Sequence, residues 1–226
     1  MRRLLLIVAA VGFAAPALAA GGNVEVTVTF EGKIPTPKKI QPTTDTAICG
    51  QQDLVEESLL VDPTSRGVKS VVGWVKGSTG GTLPAKPVLD NKRCRYEPHV
   101  MVAKAKQKIA IKNSDRFLHT SQALAGSKSI FNVALPIRGQ VAKKKFPKRG
   151  VYSVHCDVHS WMKAWVVVLE GEIHGVSDDQ GKLTLTGVPA GQHEVELWHE
   201  TLGTRVVKVT VEDGKTAKAA VKWARK

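Results

Sequence analysis

Polar and apolar residues alternate along most of this chain. Val24, Val26, Val28 and Phe30 are spaced by Glu25, Thr27 and Thr29, the period of two expected of a half-buried strand. Val68 to Trp74, Lys108 to Lys112, Gly139 to Phe146, Val151 to His155 and Ala164 to Leu169 read as strands in the same way. So do Lys182 to Leu185, His193 to His199, Arg205 to Val211 and Thr216 to Trp223, which are set apart by the turn formers Pro189-Ala190-Gly191 and Asp213-Gly214. One short helix is expected over Gln51 to Leu60, with Asp53, Glu56 and Glu57 on its polar side, whereas Ser78 to Asn91, rich in Gly, Pro and small residues, reads as loop. The fold class is therefore all-β. Texture divides the chain into a larger sandwich over 21–169 and a smaller one over 170–226, joined without a flexible linker.

At 226 residues and 42% hydrophobic the chain is long enough to bury a core and too apolar to be disordered. Its one long apolar run is N-terminal. Arg2 and Arg3 precede Leu4 to Ala15, and Pro16-Ala17-Leu18-Ala19 supplies a small-x-small cleavage pattern, so residues 1–20 read as a signal peptide. A periplasmic or secreted chain follows, with no membrane span after signal removal. The formal net charge is +13, concentrated in 21–169, where 23 Lys or Arg face 11 Asp or Glu, whereas 170–226 holds 8 against 9. Such a field favours an acidic partner surface. The densest basic run is Lys143-Lys144-Lys145-Phe146-Pro147-Lys148-Arg149, which reads equally as a docking patch or a solubilising rim. In an exported protein nucleic acid is not an expected partner.

Three cysteines remain after the signal: Cys49, Cys94 and Cys156. The count is odd, so at least one stands outside an intramolecular disulfide. The economical partition pairs Cys49 with Cys94 and reserves Cys156, which lies in Val154-His155-Cys156-Asp157-Val158-His159-Ser160-Trp161-Met162. Cys156, His159 and Met162 have the spacing Cys-x2-His-x2-Met, and His119 closes the upstream segment that starts at Asn113. A thiolate, two imidazoles and a thioether favour copper in a trigonal His2Cys plane with a weak axial Met. Met is a poor zinc ligand, and a c-type haem attachment motif is absent.

These residues resemble the cupredoxins of the plastocyanin and amicyanin kind, in the Asn113 to His119 segment and in the short Cys156-x2-His159-x2-Met162 loop. The resemblance is strongest over about residues 95–169 and implies a Greek-key sandwich binding one type 1 copper through His119, Cys156, His159 and Met162. It further implies single-electron transfer between redox protein partners rather than catalysis, with the exposed edge of His159 as electron port. By the same resemblance Asn113 lies beside Cys156 and donates a backbone hydrogen bond to its sulfur. Ser160 departs from the family, many members of which carry Pro after the loop His. His99 and His155 are weaker ligand candidates. The segments Gly175 to Leu185 and Val188 to His199 resemble the carboxypeptidase regulatory-like, transthyretin-like sandwich, which is usually non-catalytic, and His174, His193 and His199 there read as ordinary strand residues. The competing function is envelope copper handling, or a non-catalytic module that binds protein or glycan.

Overall fold

The computed structural model describes residues 21–225. The expected signal peptide lies outside the described residues. In chain order the elements are β1 (Gly22–Glu31), a single helical turn α1 (Thr46–Cys49), β2 (Val72–Val75), β3 (Val88–Lys92), β4 (Arg95–Glu97), β5 (Val100–Lys104), β6 (Lys108–Asn113), β7 (His119–Ala125) and β8 (Lys128–Leu135). They continue with β9 (Val141–Lys145), β10 (Gly150–His155), β11 (Lys163–Leu169), β12 (His174–Val176), β13 (Lys182–Val188), β14 (Gly191–His199), β15 (Gly203–Val211) and β16 (Thr216–Ala224). The expected helix over Gln51 to Leu60 is not formed. The helical turn precedes it, and Val55 instead bridges Lys39, while Ile40 N–H donates to Leu54 O at 2.9 Å, so this backbone is spent on strand-like pairing.

Four sheets stack in layers. The order β4-β3-β6-β9 faces β5-β11-β10-β7-β8 across a core that includes Leu89, Tyr96, Ile109, Ile111, Phe146, Tyr152 and Val166. The order β12-β2-β14-β15 faces β13-β1-β16 across a second core that includes Val24, Val26, Val28, Leu185, Val195, Leu197 and Trp223. A third cluster, with Val72 and Trp74 of β2 against Val100, Val102, Val167 and Leu169 of β5 and β11, joins the two sheet pairs. Trp165 and Trp198 meet edge to face there, ring centroids 5.4 Å apart.

Sheet membership does not follow the expected division at 169/170. β1 lies between β13, antiparallel, and β16, parallel, while β2 pairs with β12 and β14, so two strands from the N-terminal third complete the C-terminal sheets. The alternation in Val24 to Phe30 shows a strand with one buried face but carries no information about its neighbours. Gly67 marks where these layers touch. A Cβ there would lie 2.1 Å from the carbonyl carbon of Gln180, so the backbone can pass only without a side chain.

Candidate metal centre

His119 opens β7 and Cys156 follows β10. These neighbouring antiparallel strands share Ser153 to His155 against Leu124 to Gln122. His159 lies on the tight turn after Cys156, where Met162 N–H donates to His159 O at 2.9 Å and Cys156 N–H to Met162 O at 3.3 Å. The strands thus deliver one side chain and the turn the next. The Cys156 sulfur is 3.8 Å from His119 Nδ1 and 3.6 Å from His159 Nδ1, and these three donors form the one such His, Cys or carboxylate cluster among the described residues. All three residues are buried, both histidines completely. Met162 is buried beside them on the same turn.

Each imidazole is held from its far side. Asp115 Oδ2 lies 3.0 Å from His119 Nε2, and Asp45 Oδ2 lies 2.9 Å from His159 Nε2. A carboxylate at Nε2 holds a proton on that side and leaves Nδ1 aimed at the sulfur, the nitrogen at which a metal would replace the ring's other proton. Asp115 is itself anchored, accepting the backbone N–H of Arg93 at 2.8 Å and of Cys94 at 3.0 Å. Burial raises the Asp115 carboxyl, but His119 and these amides outweigh it and hold it below its usual range. Burial also works against charge on His119, yet Asp115 and the sulfur keep its imidazole above its usual value. Burial pushes the Cys156 thiol up, but hydrogen bonds from both histidines and from Thr120 N–H bring it down to about 5. Cys156 is therefore poised as a thiolate, the form that binds metal.

The sulfur's backbone donor is Thr120, whose N–H lies 3.4 Å away, and not Asn113 as the family resemblance implies. Asn113 N–H is spent on Gln140 O at 3.0 Å. Its side chain instead clamps the 114–118 loop, donating to Phe117 O at 2.8 Å and Leu135 O at 2.7 Å while accepting from Asp115 N–H at 2.9 Å. Thr120 also joins the two donor-bearing segments, its hydroxyl accepting Asp157 N–H at 2.7 Å and donating to Asp157 Oδ2 at 3.1 Å.

The expected exposed edge of His159 is absent. The segment around α1 folds over it, pinned by a disulfide between Cys49 and Cys94. Cys49, Leu54 and Cys94 form a small core with Ile40, Phe117 and Trp161. Phe117 and Trp161 flank His159 at centroid distances of 5.4 and 5.1 Å, and Trp161 Nε1–H donates to Cys94 O at 3.0 Å. The pairing of Cys49 with Cys94 agrees with the sequence reading. The cap it secures was not foreseen, because Asp45 is 114 residues from the histidine it holds. Asp115, four residues before His119, is by contrast a local partner that sequence spacing alone can place near the ring.

The other histidines stand outside the cluster. His99 Nδ1 is 3.1 Å from Lys163 O and its Nε2 contacts Glu200. His155 lines a cleft with Met162 and Trp161. His174 Nδ1 meets Glu172 O, His193 Nε2 meets Pro189 O, and His199 Nδ1 accepts the amides of Thr201 and Leu202.

The donor set fits copper. One sulfur and two imidazole nitrogens converge in a buried site, both rings held from behind by carboxylates, and soft thiolate with imidazole is a combination that copper and zinc both take.

No family model and no curated protein matches the chain. Parts of it are similar to solved structures. A copper-containing nitrite reductase from Thermus scotoductus is 20% identical over 39% of this chain, with a TM-score of 0.35, and this chain spans 23% of that enzyme's length. A purple cupredoxin from Nitrosopumilus maritimus is 24% identical over 38% of this chain and 100% of its own, with a TM-score of 0.33. A Cu(I) amicyanin variant is 19% identical over 43% of this chain and 98% of its own, with a TM-score of 0.34. These likenesses assign no role to any residue of this chain.

Proposed function

We propose that this chain is an exported type 1 copper protein that carries single electrons between redox proteins. The observation that carries the reading is the convergence of His119 and His159 Nδ1 on the Cys156 sulfur, with each Nε2 on a carboxylate. His119, Cys156 and His159 would hold the ion, with Met162 as a weak fourth ligand. When bound, copper supplies a one-electron couple and an intense thiolate charge-transfer band. The chain's own part is to keep Cys156 deprotonated, to orient both rings through Asp45 and Asp115, and to exclude water with the cap.

Burial of all three donors leaves a substrate no direct approach to them, which favours a carrier over an enzyme. Carboxylate clamps on both rings oppose easy release, which weighs against copper delivery. We assign the metal site to the sheet pair built around residues 88–169 and a supporting role to the other pair, whose resemblance to regulatory sandwiches remains part of the proposal. Residues 1–20 would direct export, and the Cys49–Cys94 disulfide suits an oxidising compartment. No helix among the described residues is long and apolar enough to cross a membrane.

The test is to add one equivalent of Cu(II) to the mature protein and to Cys156→Ser. An intense band near roughly 600 nm, bleached by ascorbate, restored by oxidant and missing from the variant, is expected. A colourless wild-type product would refute the assignment.

A further inference from the structure

With His159 sealed beneath the cap, a redox partner must meet the site elsewhere. Two half-buried aromatic side chains lead outward from it. Of the two imidazoles Trp161 touches only that of His159, and it faces a cleft of about 500 Å³. The charges of that cleft are largely matched: Arg95 lies 3.8 Å from Glu57, Lys163 lies 3.1 Å from Glu200, and His99 contacts Glu200.

Phe117 touches both histidines, 5.1 Å from His119 and 5.4 Å from His159. It lines a groove of about 430 Å³ together with Ile48, Arg93, Arg116 and Arg138. Here Lys92 and Arg93 share Glu97, but half of the positive groups are unmatched. Among the described residues Arg116 and Arg138 form no ion pair. The carboxylate of Asp115, also at the groove, is occupied by His119 and two backbone amides. Of its apolar lining, Ile48 stands 47% exposed and Phe117 is half-buried. The apolar pair Ile48 and Phe117 beside two unpaired arginines, with the Phe117 ring in contact with both metal-facing imidazoles, is complementary to a partner with carboxylates around an apolar contact.

We propose that this groove is the docking surface for a one-electron redox protein with a carboxylate-rich face, and that Phe117 is the covered path between that surface and the site. The inference rests on the type 1 copper reading. In the transfer the reduced site loses one electron to the partner's oxidised centre, and no bond forms or breaks.

The surface is tested without metal. The mature ¹⁵N-labelled apoprotein is titrated with hexacyanochromate(III), a paramagnetic trianion that broadens the amide signals it approaches. Broadening centred on Arg93, Arg116, Phe117 and Arg138 is expected. Broadening centred instead on Lys143 to Arg149, or on the Trp161 cleft, would overturn the surface. The path is tested on copper-loaded, reduced protein oxidised by hexacyanoferrate(III). Arg116→Glu/Arg138→Glu, at two exposed positions, should slow oxidation roughly tenfold at low ionic strength, with the loss shrinking as salt is added and the visible spectrum unchanged. Lys143→Glu/Lys145→Glu, outside the groove, should have a much smaller effect. Phe117→Leu should slow oxidation at unchanged potential where Trp161→Phe does not, and the opposite result would overturn the path. If copper loading gives no Cys156-dependent band, the copper reading and the electron path fall together, while the anion map still decides whether the groove is the anionic docking surface.

Discussion

Asp45 and His159 are 114 residues apart in the chain and 2.9 Å apart in space. The contact turns the segment around α1 into part of the metal site's support, because it determines which imidazole nitrogen is left to face Cys156. Asp45→Ala should therefore lower copper affinity by roughly 10- to 100-fold, the usual effect of removing a carboxylate behind a ligating histidine. Competition against a copper chelator measures this, and an unchanged affinity would show that the cap merely covers the ring.

The disulfide that secures the cap joins positions 45 residues apart. Closing a loop of that size stabilises a fold by about 4 kcal/mol in the chain-entropy account. Cys49→Ser/Cys94→Ser should lose stability of that order in urea unfolding. It should also speed amide exchange around Ile48 to Leu54 well before exchange in β10 and β11 changes. Uniform acceleration throughout would mean that the cap is not a separable element.

Gly67 has the narrowest clearance where β1 passes the turn at Gln180. Gly67→Ala forces backbone apart at a place with no flexible side chain to yield, so a loss of at least ~2 kcal/mol is expected by thermal or urea unfolding. Gly77→Ala is a useful contrast, since a Cβ there meets nothing within 4 Å and only its left-handed backbone, φ 69°, is penalised.

Burial pushes the His199 imidazole down to about 4 from an ordinary 6.5. The native state then binds fewer protons than the unfolded chain between those values. The stability this group contributes is whole above about pH 6.5 and is lost as pH falls toward about 4, to a total of about 3 kcal/mol. His199→Asn retains an acceptor for the Thr201 and Leu202 amides and should flatten the decline in stability between pH 6.5 and 4.5. An unchanged slope would assign that decline to other groups.

Strand content was legible because alternation is a local property. β1, β6, β10, β11 and the four long C-terminal strands lie within a few residues of their sequence expectations. β7 and β8 do not stand out in the sequence, since Ser121-Gln122-Ala123 mixes small and polar residues buried by neighbouring strands and β8 is exposed or half-buried up to Leu135, with no clean apolar face. Sheet order was out of reach for a related reason: a strand's pattern states which face is buried, not which strand lies alongside. The convergence of His119, Cys156 and His159 was legible from residue type and spacing. Their surroundings were not, because Asp45, Thr120 and Phe117 are ordinary residues until the fold brings them to the site.

The position of β1 also bears on the order in which this molecule can be assembled. Its two neighbours are β13 and β16, so the first described strand is enclosed by strands that end at residues 188 and 224. As the chain is synthesised, one edge of β1 stays without its partner until residue 188 has emerged and the other until residue 224. Contacts of such long sequence separation form slowly. The strands from 88 to 169 need no part of β1 for their pairing, so the sheets that carry the candidate metal centre can mature while the N-terminal strand still waits for its last partner.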